Sequence, residues 1–179
     1  MVDAPEPGPA ESWRRWAWVT CAALCAPAAS AQSAPERRNW FNDPFFQVTA
    51  QVPGCPVPAG PFLTDAEKRV QSHGRAERGT TCWLAGKCER PNSYAYDQDI
   101  ADAVQAFFHA QTPAPHSALW VTVQRRVVFI EGCVAEPRTG PRLEALIRSA
   151  VPDTERVIAI VYVKKAQRRP PYKLLSAPE

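Results

Sequence analysis

Apolar and polar positions fall into two regimes along this chain, and the boundary between them lies near Asp97. From there to Val163 the apolar residues keep strict periods. YDQDIADAVQAFFHAQ puts Ile100, Ala103, Val104, Phe107 and Phe108 on one stripe, the spacing of a helix with a single buried face. Asp97 suits the N-cap of that helix, Asp99 and Asp102 its positive start, and His109 its opposite end. Pro113 and Pro115 stop it. LWVTV and VVFIEGCV then alternate on either side of Gln124, Arg125 and Arg126, which is the pattern of a β-hairpin. A second helix is predicted over Thr139 to Ala150, with Pro141 in its first turn and Leu143, Leu146, Ile147 and Ala150 on one side. The β-branched run VIAIVYV closes the unit. The order helix, strand, strand, helix, strand predicts an α+β core over 97–163.

Within that unit Val121, Val123, Val128, Ile130, Gly132 and Val134 form an apolar pattern around one glycine, and Val157, Val161 and Val163 follow in the last strand. This arrangement resembles the BON domain, a small bacterial module, over about 98–163. The resemblance implies an α-β-β-α-β fold with two helices on one face of a three-stranded mixed sheet. It also implies a structural role for Gly132, no catalytic residues, and attachment to phospholipid membranes. Two positions depart from the pattern: the hairpin turn is Gln-Arg-Arg where glycine is usual, and Asp153-Thr154 stands where a Gly-Val pair is usual.

Upstream the texture changes. Arg14 and Arg15, an apolar run from Trp16 to Ala28 and the small-x-small triplet Ala29-Ser30-Ala31 read as an export signal over 1–31, cleaved after Ala31. The run is short against the roughly 20 residues of a membrane-spanning helix. The paired arginines lack the neighbours of a twin-arginine signal. Residues 32–96 read as an irregular extension, because many of the chain's 19 prolines fall there and the apolar residues lose their period. Thr64-Asp65-Ala66-Glu67 matches a capping box, predicting a surface helix near 65–77 with Gly74 as an end or break. Trp40, Phe41, Phe45 and Phe46 are read as packing over a sheet face, with an exposed aromatic patch as the rival.

Cleavage leaves Cys55, Cys82, Cys88 and Cys133, and an even count in an exported chain points to two disulfides. Three pairings are open. The short loop between Cys82 and Cys88 makes a local bridge feasible, which leaves Cys55 to join Cys133; other arrangements meet the same distance rule. Zinc is the competing use, but the paired C-x2-C spacing it favours is missing. Thr81-Cys82-Trp83 faintly echoes a cysteine nucleophile without a histidine to activate it. His73, His109 and His116 show neither metal-ligand spacing nor a carboxylate placed to suggest a proton relay, and the glycines are too scattered for a phosphate loop. The expectation is therefore a non-enzyme with no cofactor, no metal and no small-molecule substrate.

Charge changes the picture most. The formal charge is +3, and three acids against two arginines in 1–31 leave the remainder near +4. Arg125 and Arg126 occupy the hairpin tip, while Lys164, Lys165, Arg168 and Arg169 crowd a predicted flexible tail over 164–179. Each cation near an anionic lipid surface contributes roughly 1 kcal/mol. These residues and Trp120 are the candidate lipid-binding set, with an anionic phospholipid membrane surface in the periplasm as the expected partner. The alternative is a protein–protein contact within an envelope assembly. Nucleic acid is not expected for an exported chain.

Overall fold

A computed structural model describes residues 35–175. The expected export signal lies outside them, as do residues 176–179. One mixed sheet holds four strands in the order β1 (Phe45–Ala50), β2 (Ala118–Gln124), β3 (Val127–Cys133) and β4 (Arg156–Tyr162). β1–β2 and β2–β3 are antiparallel, while β3 and β4 run parallel. The helices are α1 (Asp65–Gly79), the single turn α2 (Thr81–Leu84), α3 (Asp97–Gln111) and α4 (Thr139–Ala150), with a 3-10 turn over Ser93–Tyr96 before α3.

The expected three-stranded sheet is therefore corrected to four. FFQVTA carries the aromatic and β-branched residues that fit a pleated surface. It pairs along the outer edge of β2, from Phe45 opposite Thr122 to Ala50 opposite Ala118. Without it, the backbone groups on that edge of β2 would lack strand partners. At the other edge the Glu144 carboxylate accepts the Ala159 N–H at 2.8 Å, so α4 blunts β4.

α3 lies over β2 and α4 over β4. Ile100, Val104, Phe107 and Phe108 of α3 and Leu143 and Ile147 of α4 meet Leu119, Val121, Val123, Val128, Ile130 and Val157 from the sheet in one core. Ala150, placed on the apolar side of α4 by its spacing, is exposed. α3 ends at Thr112, whose left-handed backbone (φ 43°) turns the chain before Pro113. Its start also differs from expectation. Asp97 is the first residue of the helix rather than its cap, and its carboxylate is used elsewhere.

The opposite face of the sheet is roofed by the extension and by the segment after β4. Of the three cysteine pairings, the structure has Cys55–Cys133 and Cys82–Cys88. The first bridges a sequence separation of 78, for which chain entropy gives about 4.5 kcal/mol; the second, with a separation of 6, gives about 2 kcal/mol. Two disulfides suit an oxidising compartment. No helix among the described residues is long and apolar enough to cross a membrane.

The tail is not free through Leu175. Tyr172 is buried with Cys133 and Tyr162, and its hydroxyl donates to the Pro56 carbonyl at 3.0 Å. The Lys173 carbonyl accepts from Ala59 N–H, and Leu175 N–H donates to Val57, so this segment pairs with the Cys55 loop. Burial of Tyr172 and Leu174 outweighs the solvation that its cations favour.

α1 begins with the expected capping box, in which Thr64 and Glu67 exchange hydrogen bonds. The helix runs unbroken through Gly74 to Gly79, and Val70 is 79% exposed. Of the aromatics before it, Phe46 joins the main core, Phe45 stacks edge-on against Phe62, and the Trp40 indole N–H donates to the Leu63 carbonyl. They are half-buried packing residues.

Gly132 permits the closest approach in the sheet. Its φ is +138°, and an added Cβ would lie 2.1 Å from the Ala118 carbonyl oxygen. Gly132→Ala is expected to cost at least about 3 kcal/mol in urea denaturation with both disulfides intact. A cost under about 1 kcal/mol would mean that β2 moves aside freely.

Candidate functional site

Two adjacent residues, Tyr96 and Asp97, gather the pieces of the site. Asp97 is 3% exposed, and its carboxylate accepts the backbone N–H groups of Arg125 and Arg126, each at 2.7 Å. Those two residues form the hairpin tip with φ of 53° and 62°, a left-handed pair of the kind glycine or asparagine usually supplies. Side-chain-bearing residues are strained there by about 1–2 kcal/mol each. Two charge-assisted hydrogen bonds offset that cost. Burial pushes Asp97 up to about 6, against the lowering effect of the two N–H donors.

Tyr96 ties in the disulfide loop. Its hydroxyl accepts the backbone N–H groups of Glu89 at 2.9 Å and Arg90 at 2.7 Å, just after Cys88. The Arg126 guanidinium lies 4.8 Å from the centre of the Tyr96 ring and donates through Nε to the Asp153 carbonyl at 2.7 Å. The loop closed by Cys82–Cys88 is thereby set against the hairpin tip.

A second buried carboxylate holds α1. Asp43 takes a two-pronged ion pair from Arg75 at 2.7 and 2.8 Å and a hydrogen bond from Gln124 Nε2 at 2.6 Å. The Arg75 guanidinium is sandwiched between Phe41 at 4.2 Å and Tyr94 at 3.8 Å. α1 is thus suspended beside the sheet by polar contacts, and a groove of about 670 Å³ runs between it and β3, with Ala66, Val70 and Gly74 on one side and Val127 and Phe129 on the other. A second cavity, of about 590 Å³, opens beside the tip and is lined by Arg78, Lys87, Ser93, Arg125, Arg126 and Glu155. Arg78 and Arg125 line both.

The candidate lipid-binding residues do not form one surface. Arg125 and Arg126 stand where β3 begins. Lys164, Lys165, Arg168 and Arg169 are exposed beyond the end of β4, which runs parallel to β3. Seven-residue strands at about 3.3 Å per residue put the groups roughly 20 Å apart, at opposite ends of the sheet. Trp120 is half-buried on the sheet between Gln47 and Glu131. Arg126 is committed to Tyr96 and Asp153, so the tip offers chiefly Arg125.

By sequence the Cys82–Cys88 loop reads as a local bridge, with no surface role for its Trp83 and Leu84. Trp83 is 48% and Leu84 73% exposed, within a loop whose neighbours Arg78 and Lys87 face the same cavity as Arg125. The signal was available: a loop with five residues between its cysteines is too short to bury a Trp-Leu pair of its own. Compared with protein-family models, with curated proteins and with solved structures, the chain matches none.

The raised carboxylates set a pH dependence. Asp97 moves from 3.8 to about 6 and Glu131 from 4.5 to about 6, both through burial. Between the unfolded and folded values the folded state holds more protons, so these groups add stability as pH falls through 6 and withdraw it as pH rises. Glu67, lowered chiefly by the Thr64 backbone N–H, acts in the opposite sense only at or below about its ordinary value of 4.5. Between pH 7 and 5 the urea midpoint should therefore rise, with about 1 kcal/mol from Asp97. In Asp97→Asn that share should vanish and the Glu131 share remain. A midpoint that falls over this interval, or an unchanged slope in Asp97→Asn, would contradict the assignment.

Proposed function

We propose that this protein is an exported, non-enzymatic module of a bacterial cell envelope that binds anionic phospholipid surfaces in the periplasm, built on a BON-like unit over 98–163. The residue pattern around Gly132 supports the family reading. The two disulfides and the lack of a membrane-crossing helix among the described residues are compatible with peripheral attachment from an oxidising compartment.

The observation that carries the surface reading is the exposed Trp83–Leu84 pair in a disulfide loop whose Cys82, Ala85 and Lys87 line one cavity with Arg78 and Arg125. Tryptophan favours the bilayer interface because its ring is apolar and its N–H is wet. A bridge between Cys82 and Cys88 holds the pair in place before contact, which lowers the ordering cost of binding. Neighbouring cations supply attraction to anionic headgroups, screened by salt. In this reading the membrane-facing end is the hairpin tip with the disulfide loop, and the cations beyond β4 are secondary.

Flotation with vesicles containing one-third phosphatidylglycerol, against neutral vesicles, tests it. The protein should float only with the anionic set, and less so as salt rises. Trp83→Ser with Leu84→Ser should abolish flotation. Replacing Arg78, Lys87 and Arg125 by Gln should weaken it roughly 100-fold, from about 1 kcal/mol per cation. Replacing Lys164, Lys165, Arg168 and Arg169 by Gln should leave it nearly intact; if that set alone removed binding, the tail would be the contact and this orientation wrong.

A further inference from the structure

Ser93 is 1% exposed, and its Oγ has no hydrogen-bond partner among protein groups. It lines the cavity beside the hairpin tip. A buried hydroxyl without a partner carries a desolvation cost, and of the four buried side chains in that state among the described residues Ser93 is the one in the wall of this cavity. Around it, Arg78, Lys87 and Arg125 form no ion pair among the described residues, and Glu155 is the one acid lining the cavity. Cations converging on a concavity with a buried hydroxyl make a site for a compact, multiply charged anion.

The adjoining groove adds a different demand. It reaches this cavity along Arg78 and Arg125, which line both, and it is floored by Val127 and Phe129 with Val70 above. Val70 is the most exposed large apolar side chain among the described residues. Opposite α1's Gly74 the space is open, since an added Cβ there would meet nothing within 4 Å. Each cavity is of the size that small ligands occupy. A groove with an apolar stripe along Ala66, Val70, Val127 and Phe129, edged by Glu67, Gln71 and Lys173 and ending in a cationic pocket, matches a molecule with one oily chain and one charged end.

We infer that the two cavities together hold one molecule of a single-chain amphiphile with a phosphomonoester head, its phosphate among Arg78, Lys87, Arg125 and Ser93 Oγ and its alkyl chain against Val70 and Phe129. A phosphomonoester carries close to two negative charges at neutral pH and several acceptor oxygens, which suits three free cations better than a carboxylate does. The inference deepens the surface reading and rests on it for the source of the ligand, since a bilayer is where such molecules are found. The binding chemistry does not depend on a bilayer.

Calorimetric titration of the intact, oxidised protein with decyl phosphate, below its micelle-forming concentration, tests the site. Inorganic phosphate serves as the head alone and decanol as the chain alone. Decyl phosphate should bind at least about 10-fold tighter than inorganic phosphate, and decanol should not bind detectably. Ser93→Ala should melt no lower than the wild type, because it removes an unpartnered hydroxyl, yet lose about 10-fold in affinity for both phosphates. Gly74→Leu should raise the melting temperature by favouring the helix, and it should abolish the advantage of decyl phosphate while leaving inorganic phosphate unchanged.

Absence of phosphate-dependent heat in either titration overturns the proposal. So does unchanged affinity in Ser93→Ala, which would mean that water satisfies the hydroxyl. Equal binding of decyl and inorganic phosphate overturns the chain part of the site. The two readings separate cleanly: flotation on anionic vesicles without decyl phosphate binding leaves the surface contact and removes this site. Decyl phosphate binding retained in Trp83→Ser with Leu84→Ser, when flotation is lost, supports the site independently of the membrane surface.

Discussion

The hairpin between β2 and β3 turns on two arginines whose backbones are left-handed, and one buried carboxylate holds them there. Such a turn normally relies on residues that adopt positive φ at little cost. Here the cost is met from outside the hairpin, by Asp97 at the start of α3. A local defect in turn chemistry has become a tertiary tie between the first core helix and the sheet. Because the tie is made by a charge at 3% exposure, it works only while both N–H donors stay aimed at it.

The same residue neighbourhood organises everything at that end of the molecule. Gln124, Arg125 and Arg126 are consecutive, and they receive Asp43 on one side and Asp97 on the other. Asp43 brings α1 with it through Arg75. Tyr96, next to Asp97, brings the disulfide loop through the N–H groups of Glu89 and Arg90. The candidate site is thus assembled by polar ties around a hairpin tip, while the apolar core beneath supplies rigidity. That division explains why the groove beside α1 stays open: a helix held by ion pairs need not press its thin apolar face against the sheet.

How much of this was legible in the sequence depends on the range of the interaction. α3, α4 and strands β2 to β4 followed from period alone, because each buries one face locally. The capping box at Thr64 and Glu67 is equally local, and α1 starts where it says. β1 was hidden because its partner β2 lies about 70 residues on, and FFQVTA reads as readily as packing aromatics as it does as a strand. Asp97 looked like an N-cap because short-range rules put acids there; nothing local says that its oxygens serve amides 28 and 29 residues away. The separation of the tip from the cations after β4 was available in principle. A strand, a crossover helix and a parallel strand return the chain to the same starting end, so the cations directly after β4 lie opposite the tip. Tyr172 and Leu174, spaced two apart among the cations, carried the strand-like hint that this segment packs.

The central claim, that Asp97 stands in for the missing turn glycine, is read most directly by NMR of the Arg125 and Arg126 amide protons between pH 4 and 8. Both should lie downfield, resist exchange with solvent, and shift together with a single midpoint near 6, the value at which burial holds the carboxylate. The transition should be absent in Asp97→Asn. Two rapidly exchanging amides whose shifts stay flat from pH 4 to 8 would show that the turn holds itself and that the carboxylate does not.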